Sequence, residues 1–224
     1  MASPILPMDM EKNLIARLAS ALAVALIFFS PLLGATGVAP SDRPRVVLLD
    51  ATYLSAVRKQ ILEGDPSLAP ALEQLRRDAK KALAAGPFSV VQKTGTPPSG
   101  DKHDYMSQAP YFRPNPETTN HLPYIRRDGQ RNPEINKFSD HRVMDEMVDA
   151  VETLALAYYF EGEESCGVRA CTLLRAWFLD PATRTNPYLR YAQAIPGVNT
   201  GRGIGLIETR ELIRVVDAAG LPAG

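Results

Sequence analysis

The chain has 224 residues, 45% hydrophobic and 22% charged, a composition that excludes a disordered tail or a fibrous repeat and is enough for a real core. Lys plus Arg equals Asp plus Glu at 25 each, so no global field draws nucleic acid or an anionic membrane surface; an anionic partner has to be held by a local cluster. Three histidines, two cysteines and no CxxC or HExxH spacing argue against zinc, and nothing in the sequence calls for a metal or another cofactor.

Residues 1–39 read as a secretory signal. Lys12 and Arg17 precede an apolar core from Ala21 to Phe29, and Pro31 and small residues follow, ending at Val38 and Ala39. The uncharged run from Leu18 to Ala39 is also long enough for a membrane anchor, against which Pro31 and the small-residue tail weigh. The expectation is a secreted or periplasmic protein that meets a membrane only through this segment.

The folded part starts near residue 45. VVLLD (Val46 to Asp50) introduces a helix with Leu54, Val57 and Ile61 on one stripe. A second helix is expected from about Ser67 to Ala85, with Leu68, Leu72, Leu75, Ala79 and Leu83 inward and Gly86-Pro87 ending it. Further on, Asp140 is placed to cap a helix carrying Val143, Met147, Val151, Leu154 and Tyr158 on its inner face, and Gly162 breaks it. Its partner spans about Glu163 to Leu179, with Val168, Cys171, Leu174 and Phe178 inward, and a final helix spans about Ile204 to Ala219. Cys166 and Cys171 on one helix lie roughly 140° apart around the axis, which suits packing rather than a disulfide. Helices in hairpins with long loops between them make an all-α architecture whose chemistry sits in the loops.

The longest loop is the strongest signal. From Pro87 to Ser139 no helical period is present, and a loop of that length in a compact domain is usually functional. His103, His121 and His141 lie within it or at its end, with Lys102, Tyr105, Tyr111, Phe112, Arg113, Tyr124, Arg126 and Arg127, side chains that stack on or grip a ligand. PYIRRDG sets two arginines beside Asp128; one is expected in an ion pair, which leaves the other for a carboxylate. Asn120-His121 has no visible positioned partner. GRGIG (Gly201 to Gly205) follows no strand and sits in no βαβ unit, so its glycines are expected to turn the chain into the last helix rather than cradle a phosphate. LALAYYFEGEESCGVRACTLLRAWF has the small-residue spacing of a tetratricopeptide pair, but no second copy is found.

Five blocks in order, KHDYMSQAPYFRPNP, LPYIRRDGQRNPE, LALAYYFEG, LRAWFLDPATRTNPYLRYAQAIPG and GRGIGLIETREL, resemble the N-terminal half of the alginate-lyase-type polysaccharide lyases, from about Val46 to Val216. The resemblance implies an incomplete (α/α) toroid of helical hairpins with a sugar-binding cleft, over residues 45–224. It also implies β-elimination on alginate or a related uronate polymer. That reaction needs a cation or amide cluster to neutralise the carboxylate, a base for the C5 proton and an acid for the departing glycosidic oxygen. Lys102, His103, Asp104 and Tyr105 occupy the KHDY block, which by resemblance lines the cleft. Tyr111, Tyr124, Arg126 and Arg127 join them on chemical grounds, because aromatic faces stack on sugars and cations meet carboxylates, and Arg202 is added from GRGIG.

In the family the acid and base come mostly from an Asn-His pair and a tyrosine after the GRGIGLIETREL block. Here no tyrosine follows Tyr191 and no Asn-His pair follows His121. The expectation is a chain without the catalytic second half, with its catalytic residues unassigned, whether as a truncated gene reading, a fragment or a short paralogue. A non-catalytic or vestigial binder of acidic polysaccharide and a helical interaction module are the alternatives. A half ring should also leave Val151, Leu154 and Val215 uncovered.

Overall fold

The computed structural model describes residues 44–222; the expected signal at residues 1–39 lies outside them. The fold is mostly helical, and the described residues divide into two compact units. No helix among them is long and apolar enough to cross a membrane.

The helical unit comprises residues 44–88, 145–176 and 211–222. Helix α1 (Ala51–Leu62) starts where the Asp50 carboxylate accepts from the backbone N–H groups of Thr52 and Tyr53 at 2.8 and 3.0 Å, an N-cap that satisfies two otherwise orphaned donors. Helix α2 (Ala69–Ala84) follows a 3-10 turn at Pro66–Leu68 and buries Ala79 and Ala82. Helix α3 (Asp140–Glu161) belongs to this unit from Asp145 onward, and Met147, Val148, Val151 and Leu154 are fully buried along it. Val215 is also buried, so none of the three side chains expected to lie uncovered does so.

Helix α4 (Glu164–Phe178) shows a shifted face. The expected stripe included Val168, which is 64% exposed; the buried residues are Cys166, Ala170, Leu173, Leu174 and Trp177. Apolar residues stand at nearly every phase between Val168 and Phe178, so periodicity alone does not select the inner face. Both cysteines are free thiols; burial pushes Cys166 up and Cys171 to about 11, which leaves them protonated packing groups.

Helix α5 (Leu212–Gly220) is anchored by Asp217. Its buried carboxylate accepts from the backbone N–H groups of Val47 at 2.6 Å, Leu48 at 3.0 Å and Leu49 at 2.7 Å, while the Arg45 N–H donates to the Gly220 carbonyl at 3.0 Å. The VVLLD run is therefore a strap held by one acid.

The second unit comprises residues 89–144 and 177–210. The long loop is not wholly irregular. Strand β1 (Met106–Gln108) pairs in parallel with β4 (Tyr191–Ala194), and β2 (Phe112–Arg113) pairs antiparallel with β3 (Ile125–Arg126). These strands, two to four residues long, are too short to show a two-residue period. The expected final helix from Ile204 is instead a 3-10 stretch, Gly203–Thr209, before α5 begins. It is pressed against β4: a Cβ on Gly201 would lie 1.9 Å from the Arg190 carbonyl oxygen, and one on Gly205 would lie 2.5 Å from the Ala192 Cβ. Gly201 and Gly205 of GRGIG thus serve close approach to β4 and the residue before it.

Candidate functional site

A groove of about 330 Å³ opens within the second unit, where the β2–β3 hairpin, β4 and the Gly203–Thr209 stretch converge. Register pairs Phe112 with Arg126 across the hairpin. Tyr111, Phe112, Arg126, Gln193 and Arg202 line the groove, with Ile204 and Ile207, each 55% exposed, on its apolar side.

Arg202 is the most constrained of the lining groups. Its guanidinium carbon sits 5.2 Å from the Phe112 ring centroid, and an Nη donates to Gln193 Oε1 at 2.7 Å. Its Nε is buried with no hydrogen-bond partner among the described residues. Burial lowers the pKa of Arg202 and the nearby positive charge of Arg126 lowers it further, whereas Glu208 acts in the opposite direction. A guanidinium starts so high that it stays charged, so the groove holds a partly desolvated cation next to a second one. Such a pair is a good receptor for a carboxylate, which takes two parallel N–H donors from a guanidinium fork.

Gln193 was not legible as a site residue. It has a φ of +52, in the left-handed region where a non-glycine residue is strained, and it lies where the β1–β4 register shifts. Its backbone N–H donates to Ser107 Oγ at 2.7 Å. Ser107 Oγ in turn donates to Glu208 Oε2 at 2.7 Å, and the Tyr105 hydroxyl donates to the same oxygen at 2.6 Å. This chain of bonds runs from the interior to the groove floor.

The structure brings Tyr111, Arg126 and Arg202 together on the groove and places the other sequence candidates elsewhere. Asp104 and Tyr105 are each 1% exposed and lie inside the fold. Asp104 accepts from Ser99 Oγ at 2.6 Å and from Asn186 Nδ2 at 2.5 Å. Lys102 Nζ donates to the Lys93 carbonyl at 2.6 Å, and His103 Nδ1 lies 2.6 Å from the Arg184 carbonyl oxygen. The KHDY block therefore knots the loop internally. Lys93 completes the knot with a hydrogen bond to the Asp104 carbonyl and a buried ion pair to Asp140 Oδ2 at 2.5 Å. Asp140, expected to cap α3, is its first residue, and its carboxylate also accepts from the Met106 N–H at 2.8 Å.

Arg126 pairs with Asp128, as Nε to Oδ1 at 2.7 Å, and exposed Arg127 forms no ion pair among the described residues, the division expected for PYIRRDG. Asn120 and exposed His121 only tie their own loop, through bonds to Leu122 N and the Asn115 carbonyl.

Tyr124 donates its hydroxyl to Glu134 Oε2 at 2.6 Å, which raises the phenol to about 12 and lowers the carboxyl to about 2. Glu134 is depressed below its unfolded value, so its contribution to stability is complete above pH about 4.5 and is lost as pH falls toward 2. Tyr124 is raised, so the same bond is complete below pH about 10 and lost as pH rises toward 12. Tyr124→Phe should lower the middle of the stability–pH profile, between about 4.5 and 10, remove the alkaline limb and shrink the acid one, part of which Lys137 and Asn132 maintain through their own bonds to Glu134; an unchanged profile would contradict this.

The alginate lyase family matches residues 89–222. The crystal structure of an alginate lyase from Bacteroides ovatus is similar to 80% of this chain at 46% sequence identity and a TM-score of 0.74; the match takes in 47% of the Bacteroides chain. The chain thus spans about half the length of that solved relative. No match was found among the curated proteins.

Proposed function

Because the chain belongs to the alginate lyase family, we propose that it is the substrate-gripping part of a polysaccharide lyase acting by β-elimination on alginate or a related uronate polymer. The observation that carries this reading is the placing of Arg126 and Arg202 on one groove with Tyr111 and Phe112. Removing the C5 proton of a uronate leaves a carbanion that is tolerable only when the adjacent carboxylate is neutralised, and positioned donors do this at no reorganisation cost. Arg202 suits that task because Gln193 holds it through a neutral oxygen, leaving its charge for the ligand. Tyr111 and Phe112 offer faces for the sugar ring.

We assign direct contact with the polymer to Tyr111, Phe112, Arg126, Gln193 and Arg202, and support of the loop to Lys102, His103, Asp104, Tyr105 and Tyr124. Arg127, exposed beside the hairpin, is assigned to a neighbouring sugar carboxylate. In this reading residues 45–224 form the N-terminal part of an (α/α) toroid behind a signal at residues 1–39, and the protein works in the periplasm or outside the cell.

The second reading, binding without cleavage, is favoured by the state of Tyr124, whose hydroxyl is committed to Glu134 and pushed to about 12, far from a working base. Incubation with alginate separates the two. Growth of ultraviolet absorbance from the unsaturated product supports the lyase, retention on alginate without that signal supports the binder, and neither signal removes both.

A further inference from the structure

Two guanidiniums meet the groove, and they are held differently. Arg202 leans on the neutral Gln193 oxygen, whereas Arg126 leans on Asp128, the only acid among the described residues that line the groove. The Arg126 and Asp128 side chains are 70% and 68% exposed. Asp128 makes no second ion pair or side-chain hydrogen bond among the described residues. Arg126 closes the short strand β3 opposite Phe112, and Asp128 stands two residues on, in the turn beyond it. Its carboxylate can swing away without breaking the strand pairing.

From this geometry we infer that Asp128 is an internal competitor for Arg126, so that uronate binding exchanges one carboxylate for another. The inference rests on the reading that the groove holds a uronate polymer. An ion pair this exposed is worth little beyond its solvated parts, so a ligand carboxylate that also stacks on Tyr111 and meets Arg202 displaces it readily. A neutral sugar brings only hydroxyls, which are weaker acceptors than the carboxylate already in place. Asp128 also repels the polymer's own charge at short range. It therefore lowers the groove's affinity for its anionic ligand, and its sign of effect is opposite to that of every other polar lining residue.

The test is Asp128→Asn in the full chain, titrated at fixed low salt with an alginate tetrasaccharide and with cellotetraose as a neutral probe. The expected result is about three- to fivefold tighter binding of the alginate tetrasaccharide, no gain for cellotetraose, and loss of the gain when Arg126→Ala is added. Thermal unfolding should be unchanged, because the side chain is exposed. Unchanged or weaker binding by Asp128→Asn, where the wild type does bind, overturns the inference alone. An equal gain for cellotetraose, or a gain that persists without Arg126, overturns it as well. Failure of both wild type and Asp128→Asn to bind the alginate tetrasaccharide removes the inference together with the groove reading.

Discussion

Replacing Lys93 with methionine is expected to destabilise the protein by about 3–5 kcal/mol, the cost of leaving a buried charge without its partner. Lys93 and Asp140 are 3% and 1% exposed and meet at 2.5 Å. Burial lowers the pKa of Lys93 and raises that of Asp140, both in the direction that penalises charge, and the attraction between them offsets this only while both are present. Methionine keeps the volume but removes the donor to Asp140 and to the Asp104 carbonyl. Lys93→Met/Asp140→Leu should be less damaging than the single variant, although it orphans the Met106 N–H. Denaturant unfolding measures both; a loss under about 1 kcal/mol for Lys93→Met would mean that the pair does not organise the loop.

Asp217→Ala should cost about 3 kcal/mol, since charge-assisted bonds to three backbone N–H groups are lost at a buried carboxylate. The effect is local in origin: the strap from Val47 to Leu49 loses its acceptor, and the amides of those residues should exchange with solvent much faster. Asp217→Asn retains one acceptor oxygen and should fall between the two. Equal exchange rates in Asp217→Ala and wild type would show that the strap is held by something else.

Helices α1 to α4 were legible because they carry apolar residues at helical spacing between recognisable stops, Gly86-Pro87 and Gly162 among them. The phase of α4 was not, because its apolar residues surround the axis. Asp140 could be read as a helix start, but its bonds to Lys93 and Met106 are long-range and leave no local trace. In the candidate site, the loop and its arginine–aspartate pair could be read from PYIRRDG. Which aromatic residues face a groove could not: Tyr105 and Tyr111 sit in the same stretch, yet one is 1% and the other 46% exposed. Gln193 gave no signal at all, since its importance comes from a strained backbone set by pairing with a distant strand.

The account depends most on Arg126 and Arg202 acting together on a uronate carboxylate. Retention on immobilised alginate, compared between the wild type and Arg126→Ala/Arg202→Ala at matched folding and low salt, tests this directly. The account predicts that the wild type is retained and released by salt while the double variant passes through; retention of the folded double variant to the same degree as the wild type would contradict it.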